Sequence, residues 1–146
     1  MKLAILFVAA ASIAAVAATV SSKEFAVVAA KDVKWTAVKD MPPGTMSCLL
    51  DGDLAKGPVL SMNKVPAGTL LAPHTHSADE IATVISGAIW IGRGDTVDES
   101  KATLVEAGSY VVIPANSPHW AKTKADTTYV RYCNGPADIK FLAPAK

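Results

Sequence analysis

The stretch GTLLAPHTHSADE, residues 68–80, decides how this chain folds and where its chemistry lies. Successive residues of a strand point to opposite faces, so an extended segment through His74 and His76 places both imidazoles on one face. Glu80 follows four residues later, near enough to bring a carboxylate oxygen to the same ion. Two imidazoles and a carboxylate suit a divalent transition metal and leave coordination positions open. The stretch therefore predicts a metal site.

The third histidine of the chain, His119, lies far downstream and can supply a fourth protein ligand. Even with four protein ligands, an octahedral ion keeps room for water or substrate, which metal catalysis requires. A single histidine on a strand is more often a satisfied or solvated side chain than a ligand. Here the chain has only three histidines, and the spacing of all three has to be explained together.

The spacing of the first stretch resembles the first sequence motif of the cupin superfamily. Five positions carry the resemblance, and all of them match: Gly68, His74, His76, Glu80 and Gly87. The resemblance implies an all-β protein, a cupin-type double-sheet jelly-roll barrel, with a metal ion inside the barrel near one mouth. It also implies that both histidines and the glutamate are metal ligands.

A second group of residues is similar to the second cupin motif. Gly108, Pro114 and His119 occupy their places, which makes His119 the fourth implied ligand. Two positions depart from the family pattern: Asn116 stands where glycine is usual, and Thr123 where asparagine is usual. Asparagine tolerates a left-handed turn better than other non-glycine residues, so the first departure is physically mild. The second departure lies away from the ligands.

The N-terminus has the pattern of a secretory signal peptide. A short basic start precedes an alanine-rich apolar run at residues 3–20, and residues 15–17 offer a small-x-small cleavage site. We expect a signal peptide at 1–22, a single cupin domain at 23–146, and export to a bacterial periplasm. The competing interpretation is an uncleaved membrane anchor, because the run approaches the length that spans a bilayer.

Composition excludes several classes of function. The chain has 14 Lys+Arg and 13 Asp+Glu, and removal of the leader removes Lys2, which leaves the mature protein near neutrality. It has no basic stripe for nucleic acid. The leader also inflates the apolar content, so 51% hydrophobic residues do not indicate a membrane protein. About 125 residues remain, enough for one domain with a real core.

The rest of the chain reads as short strands between turns. Close spacing with Gly and Pro punctuation predicts an all-β sandwich or barrel, and no long amphipathic helix follows the leader. The predicted strands are residues 25–28, 34–38, 47–50, 59–65, 70–74, 81–85, 89–91, 103–106, 110–113, 119–123, 127–133 and 139–142.

Other side chains leave alternatives open. Cys48 and Cys133 are the only cysteines, and either a disulfide or two separate buried thiols is compatible with an exported protein. Tyr129 and Arg131 share one face of a late strand. An inward Arg131 would hold a carboxylate or phenolate substrate, but an outward, solvated side chain is favoured. Trp120 should face away from His119 and pack in the outer layer.

Two functions are compatible with these ligands. The favoured expectation is an exported metal-dependent dioxygenase-like enzyme with one divalent transition metal per chain, Fe, Mn, Ni, Cu or Zn, acting on a small organic molecule. The alternative is a non-catalytic cupin that binds or senses a small ligand or a metal. The chain resembles small exported bacterial cupins of unassigned substrate, and its barrel looks like that of cupin anti-sigma factors. We expect no nucleic acid, no membrane after leader cleavage, and a possible homodimer.

Overall fold

The structure is a computed structural model, and it describes residues 25–142. Eleven strands and two short 3-10 helices, Ala30–Asp32 and Glu99–Lys101, follow one another along these residues. The strands are β1 (Thr36–Ala37), β2 (Met46–Gly52), β3 (Val59–Val65), β4 (Leu70–Thr75), β5 (Glu80–Ser86), β6 (Ala88–Arg93), β7 (Thr103–Glu106), β8 (Tyr110–Ile113), β9 (His119–Thr123), β10 (Thr127–Cys133) and β11 (Lys140–Phe141).

The strands form two antiparallel sheets, as the jelly-roll prediction requires. One sheet has the order β1-β2-β3-β10-β5-β8, and the other has the order β11-β4-β9-β6-β7. Strands distant in sequence lie side by side: β10 lies between β3 and β5, and β9 lies between β4 and β6. The all-β, double-sheet fold is therefore confirmed.

Most strand predictions agree with the structure, and the differences lie at the edges. Five predicted strands have the observed bounds, namely β3, β7, β8, β9 and β10. The predicted strand at 25–28 is wrong, because this segment is unpaired and Phe25 is 99% exposed. The predicted strands at 34–38 and 139–142 shrink to two residues each. An apolar run becomes a strand only when a neighbouring strand accepts its hydrogen bonds, which is a tertiary condition.

The core lies between the two sheets. Alternate residues of β3 and β5 are buried, as expected for strands with one face inside and one outside. The buried apolar cluster consists of Leu71, Val84, Ile89, Val105 and Ala121. Each of its Leu, Val and Ile side chains contributes about 1.5–3 kcal/mol when it is fully buried. Both sheets supply members of the cluster, so the core joins them.

A tryptophan and a glycine close the outer side of the second sheet. Trp120 is fully buried and faces away from the interior residues His119 and Ala121 on β9. Its indole covers Gly92 on the neighbouring β6, where any Cβ would collide with the ring. The prediction that Trp120 packs in the outer layer is confirmed, and Gly92 is the residue that makes room for it.

The two departures from the second motif are both accommodated. Asn116 has φ +59°, the left-handed conformation that asparagine tolerates. The hydroxyl of Thr123 donates to the carbonyl oxygen of Pro66 at 2.5 Å and accepts from the Thr69 amide at 2.9 Å. Thr123 thus holds the turn between β3 and β4 against β9, where it fixes the start of the strand that carries His74.

The signal peptide predicted at 1–22 lies outside the described residues. Between Phe25 and Leu142, none of the helices has the length and apolar character needed to cross a membrane.

The two cysteines are free thiols on different strands. Cys48 on β2 lies opposite Met62 of β3, whereas Cys133 on β10 lies opposite Val59, on the other side of β3. One intervening strand and three residues of offset separate them by roughly 14 Å between Cα atoms. A disulfide needs Cα atoms within about 7 Å, so this fold keeps two separate thiols.

We predict that the purified protein titrates two thiols per chain after denaturation and that reductant leaves its thermal unfolding temperature unchanged. The physical reason is that β3 separates the two sulfur atoms. Mass spectrometry of the alkylated protein provides the check. A mass lower by two hydrogens, with neither cysteine alkylated, would show that the bridge forms and that the sheet order is wrong.

Candidate metal centre

The predicted ligands meet at one end of the barrel, between the two sheets. His74 lies on β4 and His119 on β9, and the pairing of these strands places the two residues directly opposite each other. His76 is the first residue after β4, and Glu80 begins β5 in the opposite sheet. All four side chains are buried, with residue exposures of 3–6%. The structure therefore brings together every residue of the predicted site.

Each imidazole is oriented by a hydrogen bond at Nδ1 to a backbone carbonyl oxygen. The acceptors are Ala72 for His74 at 2.7 Å, Asp138 for His76 at 2.6 Å and Ser117 for His119 at 3.0 Å. A carbonyl oxygen only accepts, so each Nδ1 carries a proton, and in the neutral imidazole Nε2 then presents its lone pair. This is the tautomer that a metal-binding histidine uses when it ligates through Nε2.

The three imidazoles form a tight group. Their ring centroids are 4.1–5.2 Å apart, and one nitrogen from each lies within 4.8 Å of the others. Such spacing between neutral nitrogens fits a single ion with each nitrogen about 2.0–2.1 Å away. The three histidines can therefore hold one divalent transition metal.

Glu80 lies beside this group with an unsatisfied oxygen. Its Oε2 is 3.5 Å from His76 Nε2 and 3.4 Å from Arg131 Nη1, yet it accepts no hydrogen bond from any described residue. A buried carboxylate oxygen without a donor is costly unless something else stabilises it. A cation among the histidines meets that need, so the donor set of three nitrogens and one oxygen fits a metal ion.

Burial shifts the protonation of the site towards neutral groups. The pKa of His74 falls from 6.5 to about 4, mainly because burial removes hydration; the hydrogen bond to the Ala72 carbonyl oxygen opposes this shift, and nearby basic side chains add to it. Desolvation also lowers the pKa of His119. On the opposite wall, burial raises the pKa of Tyr129 to about 12, and the charge of Glu80 adds to the effect. Near neutral pH the imidazoles of His74 and His119 are uncharged, with a single ring proton each, and the phenol of Tyr129 keeps its proton.

The site opens into a cavity with largely apolar walls. The cavity holds about 70 Å³ of space accessible to water-sized molecules. Both sheets and two loop residues, Met41 and Ile139, supply its apolar lining; the strand residues are Leu71, Ala82, Val84, Ile89, Ile91, Val111, Ile113 and Ala121. At ~10–15 Å³ for each water, the space admits several water molecules or one small organic molecule. The site therefore has room for a ligand beside the metal.

Arg131 points into this cavity, so the favoured outward orientation is wrong. Arg131 and Tyr129 both line the cavity, and the Arg131 side chain is 17% exposed. On β10 Arg131 lies opposite Ala82 of β5, and directly paired residues point to the same face. Alternation shows only that Tyr129 and Arg131 share a face. The register with β5 decides that this face is the interior.

Backbone contacts hold the loops around the site, and the residues that make them were not predicted. The Asn116 amide donates to the His76 carbonyl oxygen at 2.8 Å. Asp79 accepts from the Ala115 amide at 2.8 Å, and Asp138 accepts from the Ser77 amide at 3.0 Å. For Asp79 the sequence offered one sign of this role, its position within the ligand stretch at residues 68–80. No motif near Asp138 in the sequence indicates its role.

Two sheets enclosing a three-histidine metal group at one mouth define a cupin of the metal-binding type. The chain belongs to one particular family of these proteins. This is the family of the ChrR cupin-like domain, whose sequence model matches residues 23–138, most of the chain. No curated protein matches the sequence.

Several solved structures share the fold at low identity. A protein from Methylibium petroleiphilum PM1 described as a candidate acetylacetone dioxygenase is 20% identical, with a TM-score of 0.65 and coverage of 86% of this chain and 87% of that one. KdgF from Halomonas sp. is 18% identical, with a TM-score of 0.59 and coverage of 77% and 94%. An oxalate oxidase is 21% identical, with a TM-score of 0.54 and coverage of 73% and 59%. These likenesses show the fold.

We predict that the metal-free protein loses stability as the pH falls from 6.5 towards 4. The folded-state pKa of His74 is below its unfolded value, so the unfolded chain binds a proton in this range that the folded protein does not. The contribution of His74 to the free energy of unfolding is fully present above pH 6.5, and its loss towards pH 4 amounts to as much as ~3 kcal/mol. Urea unfolding of chelator-treated protein across this range measures it.

The control for this measurement is His74→Gln, which keeps a polar side chain and removes the titrating group. The variant should lose less unfolding free energy than the parent over the same pH range. An equal loss in both proteins would mean that His74 does not cause the acid sensitivity.

Proposed function

We propose that this protein is a metal-dependent, dioxygenase-like cupin in which His74, His76, Glu80 and His119 bind one divalent transition-metal ion. One observation carries the proposal. Three buried imidazoles, each held by a hydrogen bond at Nδ1, bring one nitrogen apiece within 4.8 Å of one another beside a buried carboxylate oxygen that has no hydrogen-bond donor among the described residues. A structural core would not maintain such a set, because each group loses hydration without a compensating partner.

The remaining space favours a catalytic role over a closed structural metal site. Structural sites are usually fully enclosed by protein ligands, whereas here the ligands face a cavity with room for a small molecule. A bound ion would supply Lewis-acid or redox chemistry to a ligand in that cavity. The apolar walls exclude bulk water, and the protonated phenol of Tyr129 provides a neutral hydrogen-bond donor on the opposite wall.

Two fold neighbours suggest the class of substrate. One is described as a candidate acetylacetone dioxygenase and another as an oxalate oxidase. Acetylacetone and oxalate are both small molecules with two oxygen atoms placed to chelate one ion. A small oxygen chelator also suits the cavity of this protein, where four protein ligands leave two positions free on an octahedral ion. We therefore propose that the substrate is a small organic molecule of this kind.

The test combines metal content with oxygen consumption. We expect about one equivalent of a transition metal per chain in protein purified without chelator or affinity-tag metal. Elemental analysis measures this, and an oxygen electrode then screens 1,3-diketones, catechols, enols and thiols. Protein that contains metal but consumes no oxygen with any of them would favour the non-catalytic binding or sensing role. Metal-free protein that takes up no added divalent ion would refute the metal site.

Two substitutions locate the metal. His76→Ala and Glu80→Gln should each lower the metal content while circular dichroism shows the fold retained, because the first removes an imidazole and the second replaces the anionic carboxylate with a neutral, weaker amide oxygen. Glu106→Gln is the matched control, since Glu106 is an exposed carboxylate on β7. Unchanged metal content in both ligand variants would contradict the assignment.

We also propose that the protein works after export, on the basis of the basic start and apolar run at residues 3–20. N-terminal sequencing of the protein from a periplasmic extract should give a start between residues 18 and 23. A chain that keeps Met1 and remains in the membrane fraction would support the uncleaved anchor instead.

A further inference from the structure

Arg131 is a largely buried cation, 17% exposed, whose Nε is fully buried and has no hydrogen-bond partner among the described residues. Its Nη1 lies 3.4 Å from Glu80 Oε2, but no hydrogen bond forms between them. Guanidinium groups satisfy several donors at once when they bind a carboxylate in parallel. A buried donor without a hydrogen-bond partner costs free energy. Arg131 lies on the cavity wall, so a ligand in the cavity can supply the missing partner.

The net charge of the metal-loaded site also favours an anionic ligand. This argument rests on the proposed function, because it requires a bound divalent ion. Imidazoles that ligate a metal ion do so in their neutral form, so the charged side chains facing the cavity are then Glu80 and Arg131, whose charges cancel. A divalent ion then leaves a net positive charge inside walls of low polarity. Uncompensated charge in such a cavity is strongly unfavourable unless an oppositely charged ligand enters.

The walls restrict what accompanies the anionic group. Apart from the ligands, Arg131 and Tyr129, the cavity is lined by aliphatic side chains and Met41. Tyr129 lies two residues before Arg131 on the same face of β10, where its phenol can donate to a second oxygen of the ligand. The cavity thus has one cationic end, and its apolar part has room for a ligand of a few carbon atoms.

We propose that Arg131 is the specificity-determining residue of this cavity and that it selects small aliphatic organic acids by binding their carboxylate or enolate group. The aliphatic part of the ligand packs against the apolar walls. Neutral molecules of the same shape enter the same space but leave the guanidinium unpaired, so they bind more weakly.

The test compares an anion with a neutral molecule of the same shape. Isobutyrate and isobutyramide are titrated by calorimetry into the wild type, Arg131→Met and Arg131→Lys. Wild type should bind isobutyrate about tenfold or more tightly than isobutyramide. Arg131→Met should remove this preference while the affinity for isobutyramide stays within about threefold of that of the wild type. Lys64→Met, which removes an exposed cation of β3 outside the cavity, is the control and should behave as the wild type.

Loss of Arg131 leaves Glu80 without its cation, so folding is checked by circular dichroism. If Arg131→Met does not fold, Arg131→Lys decides: it keeps the charge but not the planar fork, and it should lose isobutyrate affinity alone, by about threefold or more. An anion preference that survives in the folded variants, an equal loss for both ligands, or no anion preference in the wild type would overturn the proposal.

Metal content is measured on every sample. Absence of metal in the wild type counts against the proposed function, whereas the difference between wild type and Arg131 variants decides the role of Arg131. The two failures are therefore distinguishable in one set of samples.

Discussion

The antiparallel pairing of β4 with β9 is the constraint on which the site depends. It places His74 directly opposite His119, although the two residues are far apart in sequence. A sheet sets such a distance through its ladder of hydrogen bonds, so two imidazoles are held near each other without relying on flexible side chains. Thr123 reinforces the same pairing at its other end by joining β9 to the turn before β4.

Hydrogen bonds to backbone carbonyl oxygens orient the imidazoles of the site. Each histidine donates from Nδ1 to a carbonyl oxygen, which fixes the ring and leaves Nε2 as the free atom. Two of the three acceptors lie two residues before the histidine that they orient, so these contacts follow from local chain geometry. The third acceptor, Asp138, comes from the segment leading into β11 and reaches His76 across the mouth of the barrel. The site is thus preorganised by main-chain atoms.

Burial favours the uncharged forms of several side chains at this site. Desolvation lowers the pKa values of His74 and His119, and it raises that of Tyr129. The same burial leaves the Glu80 oxygen and the Arg131 Nε without hydrogen-bond partners among residues 25–142. Unsatisfied groups are rare in protein interiors, so two of them lining one cavity indicate a site built for something outside the chain.

The sequence by itself predicted most of the strands and the four residues that the structure brings together at the candidate site. The spacing of His74, His76 and Glu80 predicted a metal-ligand pattern, and short apolar runs between Gly and Pro turns placed five strands at their observed bounds. These features are local, because they depend on which face of a strand each residue occupies. The same reasoning failed at residues 25–28, where an apolar run has no neighbouring strand.

Only the tertiary structure decided which faces and which distant residues meet. Alternation placed Tyr129 and Arg131 together, but the register of β10 with β5 directed them inward. Likewise, the position of β3 between β2 and β10 separated Cys48 from Cys133, which sequence left undecided. Strand order and register arise from how two sheets close over one core, and one strand's residues do not contain that information.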